Sequence, residues 1–322
     1  MMMQKYVFFR ISHPTKDEKI FKSKQKAMSE RKLRFAIFGN VYQAKKSMSI
    51  QKVLSFLSER GARVSIDKEY HRFLVDDQHI DMPGCEVFEG DAFDADFVIS
   101  MGGDGTFLKA AARVGSKSIP IVGVNMGRLG FLADISPAEI ESSLRSIYKG
   151  DFQLEEHAVL CVDCPEAPIP GNPFALNDIA VLKRDNASMI SIRTCVNGEY
   201  LATYQADGLV VSTPTGSTAY SLSNGGPIVA PQAGVICLTP VAPHSLNVRP
   251  LVLPDDSIVT VSVESRTHQF LVAIDGRSEK CSEGVTLTIR KAAYPVRIIK
   301  RHGQKYFSTL REKMQWGVDL RK

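Results

Sequence analysis

Apolar residues change their period part-way along this chain of 322 residues. Leu33–Gly39 is the first apolar run of strand length. Ser49–Gly61 then carries Ile50, Val53, Leu54 and Leu57 at helical spacing, with Gly61 as its stop. Phe97, Val98 and Ile99 form a short run suited to a strand covered on both faces. Phe107, Leu108, Ala111, Ala112 and Val114 follow at helical spacing, predicting a helix that ends at Gly115. Ile119–Asn125 reads as a further buried strand. Ser136-Pro137-Ala138-Glu139 is a capping box with proline at the first helical position, predicting a helix that runs to Tyr148 or Lys149 and is closed by Gly150. Alternating strands and helices predict an α/β domain with a parallel sheet over residues 33–155.

Beyond about residue 155 the period becomes two. Ile190–Val196, the Asn197-Gly198 turn and Tyr200–Gln205 give a hairpin pattern, and Ser257–Val263, Gln269–Ile274 and Val285–Lys291 alternate likewise. Residues 156–297 are therefore expected to form a mainly β domain, a β-sandwich. A last helix, Phe307–Trp316 with Leu310 and Met314 on one face, is expected to return to the first domain, so that segment 298–322 completes it. Residues 1–32 lack periodicity and are rich in Lys, Ser and Gln, which predicts a disordered extension, and Met28 is an alternative start.

Charge sharpens this division. Residues 1–34 hold ten Lys/Arg against three Asp/Glu, whereas the remainder holds thirty against thirty-two. The overall formal charge of +5 thus belongs to the extension, and a nearly neutral body argues against a nucleic-acid partner. No apolar run approaches a bilayer span and no leader pattern is present, which predicts a cytoplasmic protein without a membrane partner. The six cysteines lack framework spacing. Cys161 and Cys164 form one C-x-x-C, but strand alternation sends the two to opposite faces, so reduced structural cysteines are expected.

Candidate chemistry begins between the strand and helix at 96–115. The loop Gly102-Gly103-Asp104-Gly105-Thr106 allows backbone N–H groups to close on a phosphate near the positive end of the following helix. A carboxylate inside a phosphate cradle needs a further task. Asp104 could accept a proton from an attacking hydroxyl, hold Mg²⁺ against phosphate oxygens, or only cap the helix. Met126-Gly127-Arg128-Leu129-Gly130-Phe131 adds a second glycine loop at the end of the next strand, where open α/β sheets bind ligands. In the β-rich half, residues 204–229 gather small hydroxyls, glycine and tyrosine, a set suited to a ribose, a base edge or a phosphate. Asn177-Asp178, within the strand predicted over Phe174–Arg184, is a polar pair that is either internally hydrogen-bonded or turned to a ligand.

These segments together resemble the NAD kinases. Gly102–Thr106 is similar to that family's GGDGT motif, Asn177-Asp178 to its Asn-Glu/Asp pair, and Asp207–Tyr220 to its DG…TPTGSTAY segment. Thr239–Ser245 and Asp275-Gly276 match in order. The GGDG loop alone is shared with diacylglycerol kinases, sphingosine kinases and phosphofructokinases, whose α/β architecture the first domain is expected to share. The resemblance implies phosphorylation of the adenosine 2′-hydroxyl of NAD, with ATP as donor and Mg²⁺ held through the ATP phosphates rather than by assigned residues. It implies Asp104 as proton acceptor, Gly105 and Lys109 along the NAD site, and Asn177 and Asp178 on ribose or adenine. Thr218, Ala219, Tyr220, Ser221 and Ser223 would surround the adenosine. Asp207 and Ala242 would reach NAD from an adjacent subunit of a homodimer or homotetramer. Gln205, Ser188 and Arg277 stand where the family often has Arg, His or Arg, and Gln, respectively. His244, in a matching segment, is expected to be a satisfied structural histidine. Two rival functions fit parts of this pattern: a lipid kinase sharing the loop, and a module that binds NAD or NADP without turnover.

Overall fold

The computed structural model describes residues 32–41, 47–127, 129–185, 188–303 and 306–317. The 1–32 extension thus lies outside the described residues except for its last position. In the N-terminal half the chain runs β1 (Arg34–Gly39), α1 (Ser47–Glu59), β2 (Arg63–Asp67), α2 (Lys68–Arg72), β3 (Glu86–Phe88), β4 (Phe97–Gly102), α3 (Asp104–Val114), β5 (Ile121–Asn125), α4 (Ile140–Lys149) and β6 (Gln153–His157). The β-rich half follows as β7 (Leu160–Asp163), β8 (Phe174–Ala175), β9 (Asp178–Lys183), β10 (Ile190–Val196), β11 (Glu199–Ala206) and β12 (Gly208–Ser212). After the one-turn helix α5 (Tyr220–Ser223) come β13 (Val235–Val241), β14 (Leu251–Pro254), β15 (Val259–Glu264), β16 (Gln269–Ile274), β17 (Arg277–Ser282) and β18 (Thr286–Lys291). The chain then returns through β19 (Val296–Lys300) and α6 (Tyr306–Met314).

The first sheet has the order β3-β2-β1-β4-β5-β19-β6. Its strands are parallel except β6, which pairs antiparallel with β19. Both faces are covered, which explains the unbroken apolar runs. Phe35, Ile37, Ile99 and Met101 pack under α1 and α4, while Ala36, Phe38, Val98 and Ile121 pack under α3 through Phe107, Ala110 and Val114. The β-rich half is two six-stranded antiparallel sheets, β11-β10-β15-β18-β7-β8 and β14-β13-β12-β9-β16-β17. Inward residues of both, among them Ile192, Val261 and Leu287 from one and Val181, Val211 and Phe270 from the other, share one core. An α/β half with a parallel sheet joined to a β-sandwich is the predicted fold class.

Local expectations fared unevenly. Gly115 and Gly150 end α3 and α4 with φ of +51° and +64°, as read from sequence. Helix α4 starts only at Ile140, one turn later than the capping box predicts. The Ser136 hydroxyl donates to Glu139 Oε2 (2.6 Å) and leaves residues 137–139 as a turn. The predicted strand Phe174–Arg184 is broken at Leu176-Asn177 into β8 and β9, because those backbone amides bind a side chain instead of a neighbouring strand. Cys161 and Cys164 are free and buried, and they point into different cores, as alternation requires. Among the described residues no helix is long and apolar enough to cross a membrane.

Candidate active site

Asp104 is the first residue of α3, where β4 ends at the carboxyl edge of the parallel sheet. Its side chain does not cap that helix. Instead it reaches across to the loop after β5: Oδ1 accepts the amides of Leu132 (3.0 Å) and Ala133 (3.1 Å), and Oδ2 accepts that of Phe131 (3.0 Å). Lys313 Nζ, from α6, donates to Oδ2 at 3.2 Å. Burial pushes this carboxyl up, but the Ala133 amide, the Lys313 ammonium and the amides of Phe131 and Leu132 outweigh it and hold the group below the usual carboxylate range.

The loop is fixed to receive it. Asn125 N donates to Ile135 O (2.8 Å) and Ile135 N to Gly123 O (3.1 Å), bringing residues 129–134 back over the strand end. A Cβ at Gly130 would lie 2.1 Å from Asp104 Oδ1 and 2.9 Å from Ala133 O, so this glycine makes room for the carboxylate. Gly130→Ala is therefore expected to push Asp104 off its amides and lower kcat about tenfold, with a loss of roughly 1–3 kcal/mol in stability from overpacking. Steady-state kinetics and thermal unfolding check this, and wild-type values in both would refute it.

Of the other loop residues, Gly102 packs against the Thr106 side chain, while Gly103 and Gly105 face open space where a ligand can approach the backbone. Lys109 projects from α3 to Glu69 Oε2 (2.5 Å), so its ammonium is engaged at the rim rather than at Asp104.

The second cluster forms where β8 breaks. Asp275 Oδ1 accepts the amides of Asn177 (2.8 Å) and Asp178 (3.2 Å), and its Oδ2 accepts that of Leu176 (2.8 Å). Thr213 Oγ1 donates to Leu176 O (2.6 Å), and Thr213 N donates to Asn177 O (2.9 Å). Gly216 lies so close over Asn177 that a Cβ there would sit 2.0 Å from Asn177 O. The 213–220 segment is thereby laid directly on the Asn177-Asp178 pair. Asp178 is pushed up to about 7, by burial first and by the Asp275 charge second, against the Tyr220 amide that lowers it.

Thr218, Ala219, Tyr220 and Ser223 remain partly open around this pair. Ser221 does not. It is fully buried, and its hydroxyl bonds Thr239 Oγ1 at 2.9 Å.

A small pocket of ≈ 40 Å³ lies between the loop that carries Phe131 and Leu132 and the segment that carries Pro214, Thr215 and Thr218. Phe131, Leu132 and Asp134 line it from the Asp104 side, Pro214, Thr215 and Thr218 from the other, and α6 closes it with Tyr306 and Thr309. Its floor is polar: Asp134 is ion-paired with Lys300, and buried His157 shares a hydrogen bond with Thr215 Oγ1 (2.8 Å).

Asp207 and Ala242 are not part of this assembly. They lie side by side at the opposite end of β12, with Asp207 N donating to Val241 O (2.9 Å). Since β12 is five residues long, that end is about 17 Å from Asp178 along the strand. Asp207 is paired with Lys183 at 2.7 Å, and Ala242 holds an exposed left-handed backbone, φ +44°. Gln205 bonds Ser191 Oγ and Arg277 bonds Asn172 O, so two of the three departures are occupied within the β-sandwich. His244 is exposed, with its amide bonded to Gln205 O.

Residues 35–152 match the model of the ATP-NAD kinase N-terminal domain, and residues 176–301 that of the ATP-NAD kinase C-terminal domain. The chain belongs to the NAD kinase family. It is 55% identical over 289 residues to an NAD kinase of Bacteroides fragilis, covering 90% of this chain and 100% of that protein. It is 41% identical over 288 residues to an NAD kinase of Porphyromonas gingivalis, covering 89% and 99%. A crystal structure of yeast NADH kinase complexed with NADH shares the fold, with a TM-score of 0.81 at 21% identity and 90% coverage of both chains. An NAD kinase from Archaeoglobus fulgidus in complex with ATP superposes with a TM-score of 0.69 at 27% identity, covering 88% of this chain and 99% of that one. As an NAD kinase the chain transfers a phosphoryl group from ATP to the adenosine 2′-hydroxyl of NAD, giving NADP. The lipid-kinase and non-catalytic readings are not favoured.

Sequence reasoning missed several residues that build this site. Gly130 and the amides of 131–133 lay in a loop read as ligand-facing, without any partner for Asp104. Asp275 stands in the sequence only as part of a matching dipeptide. Lys313 and His157 carry no local signal, because each reaches the site by tertiary packing alone.

Proposed function

We propose that Asp104 orients the 2′-hydroxyl of NAD and takes its proton as the phosphoryl group transfers. The bond between the γ-phosphorus and the β,γ-bridging oxygen breaks with its electron pair going to ADP, the 2′-oxygen bonds phosphorus, and the hydroxyl proton passes to Asp104. The observation that carries this reading is the half-buried, amide-held carboxylate at a helix N-terminus, whose partner loop at Phe131 and Leu132 lines a pocket faced by Thr215 and Thr218. A carboxylate of depressed basicity suits a loose transition state, in which the hydroxyl need not ionise before attack.

Asn177 and Asp178 grip the ribose or adenine. Asp178, half-protonated near neutrality, can both donate to and accept from a ribose hydroxyl. Thr218, Ala219, Tyr220 and Ser223 surround the adenosine, and Gly105 and Lys109 lie along the dinucleotide. The ligands named for two solved relatives, NADH and ATP, support binding of both substrates here. Mg²⁺ arrives with ATP as part of that substrate. The oxygens of Asp104 accept the amides of Phe131, Leu132 and Ala133. A cytoplasmic setting fits reduced, buried cysteines.

Asp207 and Ala242 act on the NAD of an adjacent subunit in a homodimer or homotetramer. Their distance from Asp178 along β12 supports this, as does the nearby Leu246 side chain, 90% exposed. The primary test is an assay of ATP-dependent NADP formation by the purified chain, in which no product would overturn the reading. The subunit test mixes inactive Asp104→Asn and Asp207→Ala proteins under subunit exchange. Partial recovery of activity is expected, because some mixed sites receive both native residues. Demonstrated mixed oligomers with no recovery would assign both residues to one chain's site.

A further inference from the structure

Asp104 has no free acceptor position in this structure. A carboxylate offers roughly four in-plane lone-pair directions. Leu132 N and Ala133 N take two on Oδ1, and Phe131 N and Lys313 Nζ take two on Oδ2. Any hydroxyl that bonds Asp104 must displace one of these four. The three amides belong to a loop whose own backbone is tied to Gly123, Gly102 and Ile135, and moving them would dismantle the strand end. Lys313 alone is held by a flexible stem. It projects from the last turn of α6, its side chain is 30% exposed, and besides Asp104 it contacts the face of the Phe131 ring, 4.4 Å from the centroid.

We propose that Lys313 is a catalytic residue that surrenders its place on Asp104 Oδ2 to the substrate hydroxyl and turns onto the phosphoryl group being transferred. This deepens the reading of Asp104 as proton acceptor and rests on it. Lys313 Nζ stands 3.2 Å from the oxygen that must bond the hydroxyl, so a rotation about its terminal bonds brings it beside the atom that hydroxyl attacks. The Phe131 ring keeps the ammonium at that height during the exchange. The ring is itself fixed by Tyr306 of α6, at 6.4 Å between centroids. A cation placed there meets the charge spread over the equatorial oxygens as the bond to ADP lengthens. Placing the lysine on the last helix also makes α6 part of the catalytic assembly and not only a cover for the cavity.

The test compares Lys313→Met, Lys313→Gln and Lys313→Arg in the full chain, with NAD and Mg²⁺-ATP as substrates. Both neutral variants are expected to lose kcat on the order of 10²-fold, with KM for NAD within about threefold because ground-state binding is little changed. Arginine should restore most of the loss, since it keeps the charge. Wild-type kcat in the neutral variants would overturn the proposal. A raised kcat would overturn it too, by making Lys313 an inhibitory plug, and so would failure of arginine to restore a loss seen in both neutral variants. Asp104→Asn assayed alongside separates the two readings: if that variant keeps its kcat, the acceptor reading fails and this proposal with it, whereas loss of kcat in Asp104→Asn with wild-type kcat in Lys313→Met overturns this proposal alone.

Discussion

Replacing Asp104 by asparagine is expected to lower kcat by roughly 10²- to 10⁴-fold, the range usual for loss of a positioned proton acceptor. The structure adds a second expectation. An asparagine carbonyl can occupy the place of Oδ1 and keep the Leu132 and Ala133 amides, but its NH₂ then faces the Phe131 amide and the Lys313 ammonium, two donors without an acceptor. A buried donor left unpaired costs about 1–3 kcal/mol, so thermal stability should fall as well. Substrate affinity offers the separation. If Asp104 acts on the reacting hydroxyl, NAD binding measured by calorimetry stays within a few-fold while turnover collapses. A variant that loses NAD affinity in step with kcat would make Asp104 a loop anchor and nothing more. Asp104→Ala, which removes the anchor entirely, should be less stable than Asp104→Asn at similar activity.

This double duty explains why the sequence exposed the site only in part. The glycine loop after β4 was legible because its chemistry is local: an apolar strand, a turn that tolerates close backbone approach, and a helix whose first amides point outward. What Asp104 bonds to was not legible, because the amides of 131–133 and the ammonium of 313 are brought to it by the sheet and by the returning α6. The β-sandwich was legible wherever one strand face is polar, as in the β10–β11 hairpin turning at Asn197-Gly198 with φ of +51° and +84°. The short strand β3 was not, because three residues cannot display a period. Strand β19 inserts between β5 and β6, a placement that local pattern cannot supply since its partners lie over a hundred residues upstream. The polar pair Asn177-Asp178 stands open in the sequence between internal bonding and ligand contact, and the structure shows the internal bonding. Their backbone amides are consumed internally by Asp275, while Asp178's carboxyl group stays at the edge of the 218–223 loop.

Asp275→Ala is expected to cost roughly 3–5 kcal/mol of stability and to raise KM for NAD more than it lowers kcat. Asp275 turns left-handed, φ +48°, and from that bend its carboxylate holds the amides of Leu176, Asn177 and Asp178 while its own amide donates to Asp178 O at 3.0 Å. Alanine leaves three amides without their acceptor, and even at the low end of the cost per buried donor the sum is several kcal/mol. The break between β8 and β9 is then no longer braced, and the residues on which segment 213–220 rests can shift, which is a loss of ground-state binding. The penalty should also depend on pH in a stated direction. Burial raises the carboxyl of Asp275, and burial together with the Asp275 charge raises Asp178 to about 7. Groups raised on folding contribute stability that is full below the unfolded carboxyl range and is lost as pH rises through the folded value. For Asp178, a displacement from 3.8 to about 7 corresponds to roughly 4 kcal/mol lost across that interval. Removing the Asp275 charge lowers Asp178 again and lessens that loss. The stability deficit of Asp275→Ala against the wild type should therefore be widest near pH 5 and narrower at pH 9, as followed by denaturant unfolding at intervals between. A deficit that widens with pH would mean that the two carboxyl groups are stabilised as charges by partners other than the amides described, and that Asp275 does not raise Asp178.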